Sequence, residues 1–140
     1  SGNGKSGGES GSMQVTMVTA GLLGLLLLVL GMRVVELRMK TRISLGIGDN
    51  ADMETRVRAH GNAAEWIPIG LILLYLAEQA QGAHWLVVGG AALLVVGRLL
   101  HPLGLANRSP NPFRTLGMIF TWTAVGGLAL MAFVHGIGWR

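Results

Sequence analysis

At 140 residues, 51% hydrophobic and only 13% charged, with a mean hydropathy of +0.52, the chain carries too little charge to cover a soluble domain and reads as an integral membrane protein. The lack of cysteine excludes disulfides and thiolate metal sites, so any thiol chemistry needs a thiol brought by a ligand. The net charge of +4 does not call for nucleic acid, because the basic residues flank apolar stretches.

In chain order, residues 1–12 are Gly- and Ser-rich and read as a flexible, expression-derived linker, with Met13 the expected native start. Residues 13–140 read as one four-span membrane domain. Met13–Met32 is an uncharged run of 20 residues, enough to cross roughly 30 Å of hydrocarbon at about 1.5 Å per residue. Its positive charges follow rather than precede it and no Ala-x-Ala-like site comes after, so it reads as a retained span rather than a cleaved signal. Span one is expected over about 13–38. The following Gly46-Ile47-Gly48-Asp49-Asn50 lacks the Gly-Lys-Ser/Thr ending of a phosphate loop and reads as a turn.

Span two is expected over about 55–79, with Pro68 removing one backbone hydrogen bond and kinking the helix near Ala64. A tight Gln81–His84 connection leads to span three over about 85–105. A short loop containing Pro110 and Pro112 leads to span four over about 114–137, with Trp139 as an interface anchor. Arg33, Arg38, Lys40, Arg42, Arg56, Arg58, Arg108 and Arg114 cluster around the loops joining spans one–two and three–four. The excess of positive charge on these loops predicts that both are cytoplasmic and both termini outside. The expected fold class is all-α, an up-down-up-down four-helix membrane bundle.

Spans two and three are interrupted by ionisable groups, which are costly at membrane depth and usually face a protein-lined or watery cavity. Counting inward from Glu78 and Trp85, Glu65 and Arg98 fall level at roughly 20 Å, and Asn62 and His101 level at roughly 24 Å. Antiparallel neighbours joined by a short turn pack side by side, so Glu65–Arg98 and Asn62–His101 are expected lateral neighbours. Arg58, Asn62 and Glu65 share one helix face at i, i+4 and i+7, as Arg98, His101 and Leu105 do at i, i+3 and i+7. A buried Glu–Arg pair breaks about even against apolar packing, so that pair alone fits a purely structural role. Arg58, Arg108 and Arg114, however, bring more positive charge than Glu65 neutralises, which suits an anionic ligand with carboxylates. Arg33, Lys40 and Arg42 need no role beyond topology.

The stretch Arg58-Ala-His-Gly-Asn62-Ala-Ala-Glu65-Trp-Ile-Pro68, with Leu45-Gly-Ile-Gly-Asp49 before it and Gly97-Arg98-Leu-Leu-His101 after it, resembles the MAPEG family, the membrane-associated proteins in eicosanoid and glutathione metabolism, and within it the small bacterial members. The resemblance spans essentially Met13–Arg140. It implies a homotrimer in a bacterial inner membrane, with glutathione as co-substrate in clefts between subunits near the cytoplasmic side. Members conjugate glutathione to lipophilic electrophiles, reduce hydroperoxides or isomerise lipid endoperoxides.

By position, the resemblance implies that Glu65 takes the ammonium of glutathione and Arg58 a carboxylate, with Asn62 and His101 also at the site; matched depth adds Arg98, and the arginine-rich mouth adds Arg108. Arg38 matches more loosely an arginine supplied by the neighbouring subunit. Arg114 matches the arginine that stabilises the thiolate, making it the catalytic candidate. The chain departs from some members at Leu105 and Trp66, where they carry tyrosine; a guanidinium beside sulfur favours the thiolate without those hydroxyls.

Two other classes compete with a glutathione-dependent enzyme. A non-catalytic protein would hold an anionic lipid headgroup or metabolite in the same arginine-rich mouth. A transporter or channel is disfavoured by the absence of an inverted repeat and by only four spans. His84 and His135 lack partners at ligand spacing, so no metal site is expected. Met17, Met118, Met131 and Tyr75 read as packing, and Gly21, Gly24, Gly89, Gly90, Gly126 and Gly127 as points of close helix contact.

Overall fold

The computed structural model describes residues 13–106 and 111–138, and these form four helices: α1 Gln14–Thr41, α2 Ala51–Gln79, α3 His84–Ala106 and α4 Pro112–Gly136. Residues 1–12, expected to be a linker, and Arg108, Pro110 and Trp139 lie outside the described residues. The helices alternate in direction. The start of α2 meets the end of α1 through Arg56, whose Nη1 donates to the Arg33 carbonyl at 2.6 Å, and the end of α2 meets the start of α1 through Glu78. Gly70 faces Leu94 across α2 and α3, while Gly90 faces Leu128 and Gly104 faces Arg114 across α3 and α4. Among the described residues α2 touches every other helix, and no close approach joins α1 to α4.

Two helices start earlier than the apolar pattern suggests, because capping chemistry rather than hydropathy sets their ends. Asn50 accepts a hydrogen bond from the Met53 amide at 2.9 Å, and Asp52 and Glu54 occupy the first turn, where acidic groups favour the helix dipole. That places the α2 start at Ala51 rather than near Thr55. Asn111 likewise accepts from the Phe113 amide at 2.9 Å, and Pro112 takes the first helical position, where its missing N–H costs nothing. Pro112 is therefore part of α4 and not of the preceding loop. Both internal prolines, Pro68 and Pro102, sit within unbroken helices. Between α1 and α2, Arg42, Gly46, Gly48 and Asp49 adopt positive φ, and a Cβ on Gly48 would stand 2.7 Å from Ile43 Cδ1. This is the expected turn.

The interior is thin. One cluster joins Leu23 and Leu30 of α1, Ala59, Ala63 and Ile67 of α2, Leu94 of α3 and Ala124 of α4. A second, nearer the α2–α3 connection, joins Leu74, Ala77, Val87, Ala91 and Leu128. Only Thr19, Leu23 and Leu30 of α1 are buried, while Met17, Leu22, Leu25, Leu28 and Val35 point outward. So extensive an apolar exterior is insoluble in water and matches acyl chains. By length and apolar composition α1, α3 and α4 qualify as membrane-crossing. At 29 residues α2 is the longest helix, but it carries Arg56, Arg58, Glu65 and Glu78 along its length.

Small residues do bring helices together, but not those the apolar context suggests. A Cβ on Gly97 would meet Thr121 Oγ1 at 2.7 Å and the Gly117 carbonyl at 2.8 Å, and one on Gly117 would meet the His101 nitrogen at 2.7 Å. Gly21, Gly24, Gly89, Gly126 and Gly127 have nothing within 4 Å, and of the expected set only Gly90 is in contact. Gly97 and Gly117 lie on the α3 and α4 faces that carry the polar residues, where backbones must approach for short side chains to bond. Met17 at 65% and Tyr75 at 42% exposure face outward rather than pack, whereas Met131 packs against the second cluster.

Candidate functional site

Three helices each present a face spaced i, i+3 or i+4, i+7, and the bundle brings the three faces together. Arg58, Asn62 and Glu65 come from α2, His101 and Leu105 from α3, and Arg114 and Met118 from α4. With Val57 and Gly61 these residues line one open cleft of about 360 Å³, within the usual range for small-ligand sites of about 300–1,000 Å³. Arg58, Glu65 and Arg114 are exposed in this cleft, Asn62 is half-buried, and His101 is buried. Among the described residues Glu65 is the sole acidic side chain of the lining, and no ion pair joins it to either arginine. The positive end of the α4 dipole adds to the Arg114 charge near the cleft.

Arg98 stands behind the cleft wall rather than in it. Only 2% exposed, its Nε donates to Thr121 Oγ1 at 2.9 Å. Its Nη1 donates to Asn62 Oδ1 at 2.7 Å and, more loosely, to the Asn62 carbonyl at 3.4 Å. The expected partner was Glu65. The backbones do lie in nearly the anticipated register, since Gly70 meets Leu94, but the guanidinium is drawn one turn along α2 because Thr121 of α4 fixes its Nε. Glu65 is thereby left to the cleft.

The remaining candidates fall elsewhere. Arg38 donates from Nη1 to the carbonyls of Ile43 at 3.1 Å and Gly46 at 3.2 Å, closing the α1–α2 loop of its own chain. Arg108 lies outside the described residues. His60, within the same motif, faces α1 and lines a separate groove with Gly31 and Glu36. Trp66 is half-buried and absent from the cleft lining. Sequence reasoning missed Thr121 as a polar partner and read Met118 as packing. The signal was present: Arg114, Met118 and Thr121 repeat the i, i+4, i+7 spacing used to connect Arg58, Asn62 and Glu65.

Comparison with known proteins adds a family to this geometry. The chain is 36% identical over 111 residues to the inner membrane protein YecN of Escherichia coli strain K12, covering 79% of this chain and 84% of the relative. The same figures hold for the inner membrane protein YecN of Escherichia coli O6:H1 strain CFT073. No solved structure gives a significant match. The model of the MAPEG family matches residues 16–134, a stretch that contains all four helices nearly entire and every cleft residue, and the chain belongs to that family of four-helix membrane proteins.

Proposed function

We propose that the protein is a glutathione-dependent membrane enzyme that transfers the glutathione thiolate to lipophilic electrophiles or uses it to reduce hydroperoxides. The observation that carries this reading is the single cleft in which Arg58, Asn62, Glu65, His101 and Arg114 converge from three helices. Its charges complement glutathione, which bears two carboxylates and one ammonium: two free guanidinium groups stand against one free carboxylate. In this reading Arg58 binds a carboxylate, Glu65 binds the ammonium, and Arg114 lies beside the sulfur. A nearby cation lowers the cost of the thiolate, and the thiolate is the nucleophile. The apolar exterior adjoining the cleft gives lipophilic substrates a route from the bilayer.

The same reading places the chain in a bacterial inner membrane, with both long loops cytoplasmic and both termini outside, and assembles it as a homotrimer. Exposed charges such as Glu65 and Arg58 are costly against lipid, which supports their being covered by a neighbouring copy.

Calorimetric titration of the purified protein in detergent with glutathione, together with thiolate absorbance, tests this directly. Saturable binding with thiolate formation that disappears in Arg114→Ala is expected. No glutathione-dependent conjugation or peroxide reduction, with thiolate absorbance unchanged by Arg114→Ala, would overturn it. Leu105 in the cleft wall, where a hydroxyl would otherwise assist the sulfur, favours one rival: a non-catalytic protein holding an anionic lipid or metabolite. Binding of anionic lipid but not glutathione in the same titration selects that rival.

A further inference from the structure

We propose that Arg98 and Thr121 form a directed hydrogen-bond relay that locks the Asn62 carboxamide with its N–H edge toward the cleft, so that this position selects a carbonyl or carboxylate oxygen of the ligand. The naming of glutathione as that ligand rests on the proposed function, but the relay itself does not.

The direction of each bond follows from donor and acceptor chemistry. The Gly117 carbonyl can only accept, so the Thr121 hydroxyl donates to it, at 2.8 Å. Thr121 Oγ1 then offers its lone pairs to Arg98 Nε–H at 2.9 Å. A guanidinium has donors and no acceptor, so the Asn62 atom 2.7 Å from Arg98 Nη1 must be the carbonyl oxygen and the carboxamide cannot flip. Nδ2, on the other side of the same group, has no hydrogen-bond partner among the described residues and is not a sealed-off orphan atom. Asn62 belongs to the cleft lining, so the two N–H donors open onto it. Gly97 and Gly117 make the relay possible, since a Cβ on either would strike the α3–α4 backbone or Thr121 at 2.7–2.8 Å.

Arg98 and Thr121 are thus positioning residues. They do not line the cleft, yet they set the polarity of a residue that does. A rotatable amide would accept a donor or an acceptor equally; a locked one discriminates, because a ligand donor facing two N–H groups leaves buried donors unpaired. With Arg58 and Arg114 this leaves Glu65 as the one acceptor side chain among the charged cleft residues.

Two measurements on the full chain in lipid nanodiscs test the relay. In protein labelled with ¹⁵N at asparagine, the chain has five such residues, and the Asn62 carboxamide signals are those lost in Asn62→Asp. Thr121→Val is expected to move them, and Thr121→Ser, which keeps the hydroxyl, to leave them in place. Unmoved signals in Thr121→Val overturn the relay, whether or not glutathione binds.

In parallel titrations with glutathione, Asn62→Asp replaces the inward donors by a carboxylate oxygen while giving Arg98 a counter-ion. Affinity is expected to fall about tenfold or more with thermal stability kept or raised. Thr121→Val is expected to weaken binding about threefold to tenfold, with Thr121→Ser within about twofold of wild type. Equal glutathione affinity in Asn62→Asp and wild type overturns the donor polarity while leaving the glutathione reading intact. A wild-type protein that does not bind glutathione, yet shows the expected spectral response, overturns that reading and supports the relay.

Discussion

Replacing Gly104 by alanine should damage both the fold and the cleft, by an amount the geometry sets. A Cβ at this position would stand 2.6 Å from Arg114 Cα and closer still to the Arg114 backbone nitrogen, whereas ordinary contact begins near 3.4 Å. The obstructing atoms are backbone in the first turn of α4, so no side chain can swing aside. The helices must part by more than about 0.8 Å at this level, since the backbone nitrogen is nearer than Cα, and overpacking of a fixed interface costs about 1–3 kcal/mol. For a chain of this length each kcal/mol shifts Tm by roughly 4 °C, so a fall of about 8 °C is expected in circular dichroism melts in detergent. Because Arg114 itself is displaced, the proposed glutathione-dependent turnover should fall by more than stability alone accounts for. A shift near 1 Å at a reacting centre can cost up to about 10²-fold. Gly127→Ala is the matched control: nothing lies within 4 Å of its Cβ, and alanine is the better helix former by about 1 kcal/mol. The reasoning is refuted if Gly104→Ala melts with wild type, or if Gly127→Ala is the more destabilised of the two.

Glu78 accepts from the backbone amides of Val15 at 3.0 Å and Thr16 at 2.9 Å, and α1 has no side-chain cap of its own at Met13. Glu78→Ala should therefore cost about 2 kcal/mol, as lost capping plus lost charge–dipole attraction, and Glu78→Gln about half of that; hydrogen exchange at the start of α1 should rise in both, and unchanged protection there would show that the cap contributes nothing. Glu65→Gln should weaken glutathione about tenfold, since a charge-assisted bond is lost, but leave the affinity of N-acetylglutathione, which has no ammonium, within about twofold; equal loss for both ligands in parallel titrations would remove Glu65 from the ammonium role.

The helices were legible because hydropathy and charge act locally: α1, α3 and α4 are apolar runs of membrane length, and α2, though interrupted by charges, lies between a basic loop and the tight Gln81–His84 turn. The shared depth of the α2 and α3 polar residues was also legible, since a helix rise converts residue count into height. Partner choice was not. Arg98 carries several rotatable bonds and reaches one turn either way, and which way depends on Thr121, a residue of a third helix with no charge to mark it. The glycine contacts failed for a related reason. In a hydrophobic helix a glycine facing lipid and one facing another backbone look alike in sequence, and Gly97, Gly104 and Gly117 are distinguished only by the helix they happen to meet. Helix ends followed side-chain caps at Asn50 and Asn111, which hydropathy windows overlook.

The charges of the cleft are arranged so that the protein does not satisfy them itself. Two guanidinium groups and one carboxylate line the same space, yet no ion pair joins them among the described residues. Arg98, the cation that might have neutralised Glu65, is instead held by neutral oxygens of Asn62 and Thr121. A bundle built only for stability would gain by letting Arg98 reach Glu65, because an unpaired charge is the more costly state at membrane depth. Thr121 opposes that collapse by fixing Nε on the α4 side. The binding capacity left unspent is of both signs, so a ligand carrying both signs gains more here than a simple anion, which would use the arginines and leave Glu65 repelling it. That difference supports a zwitterionic ligand such as glutathione over an anionic headgroup.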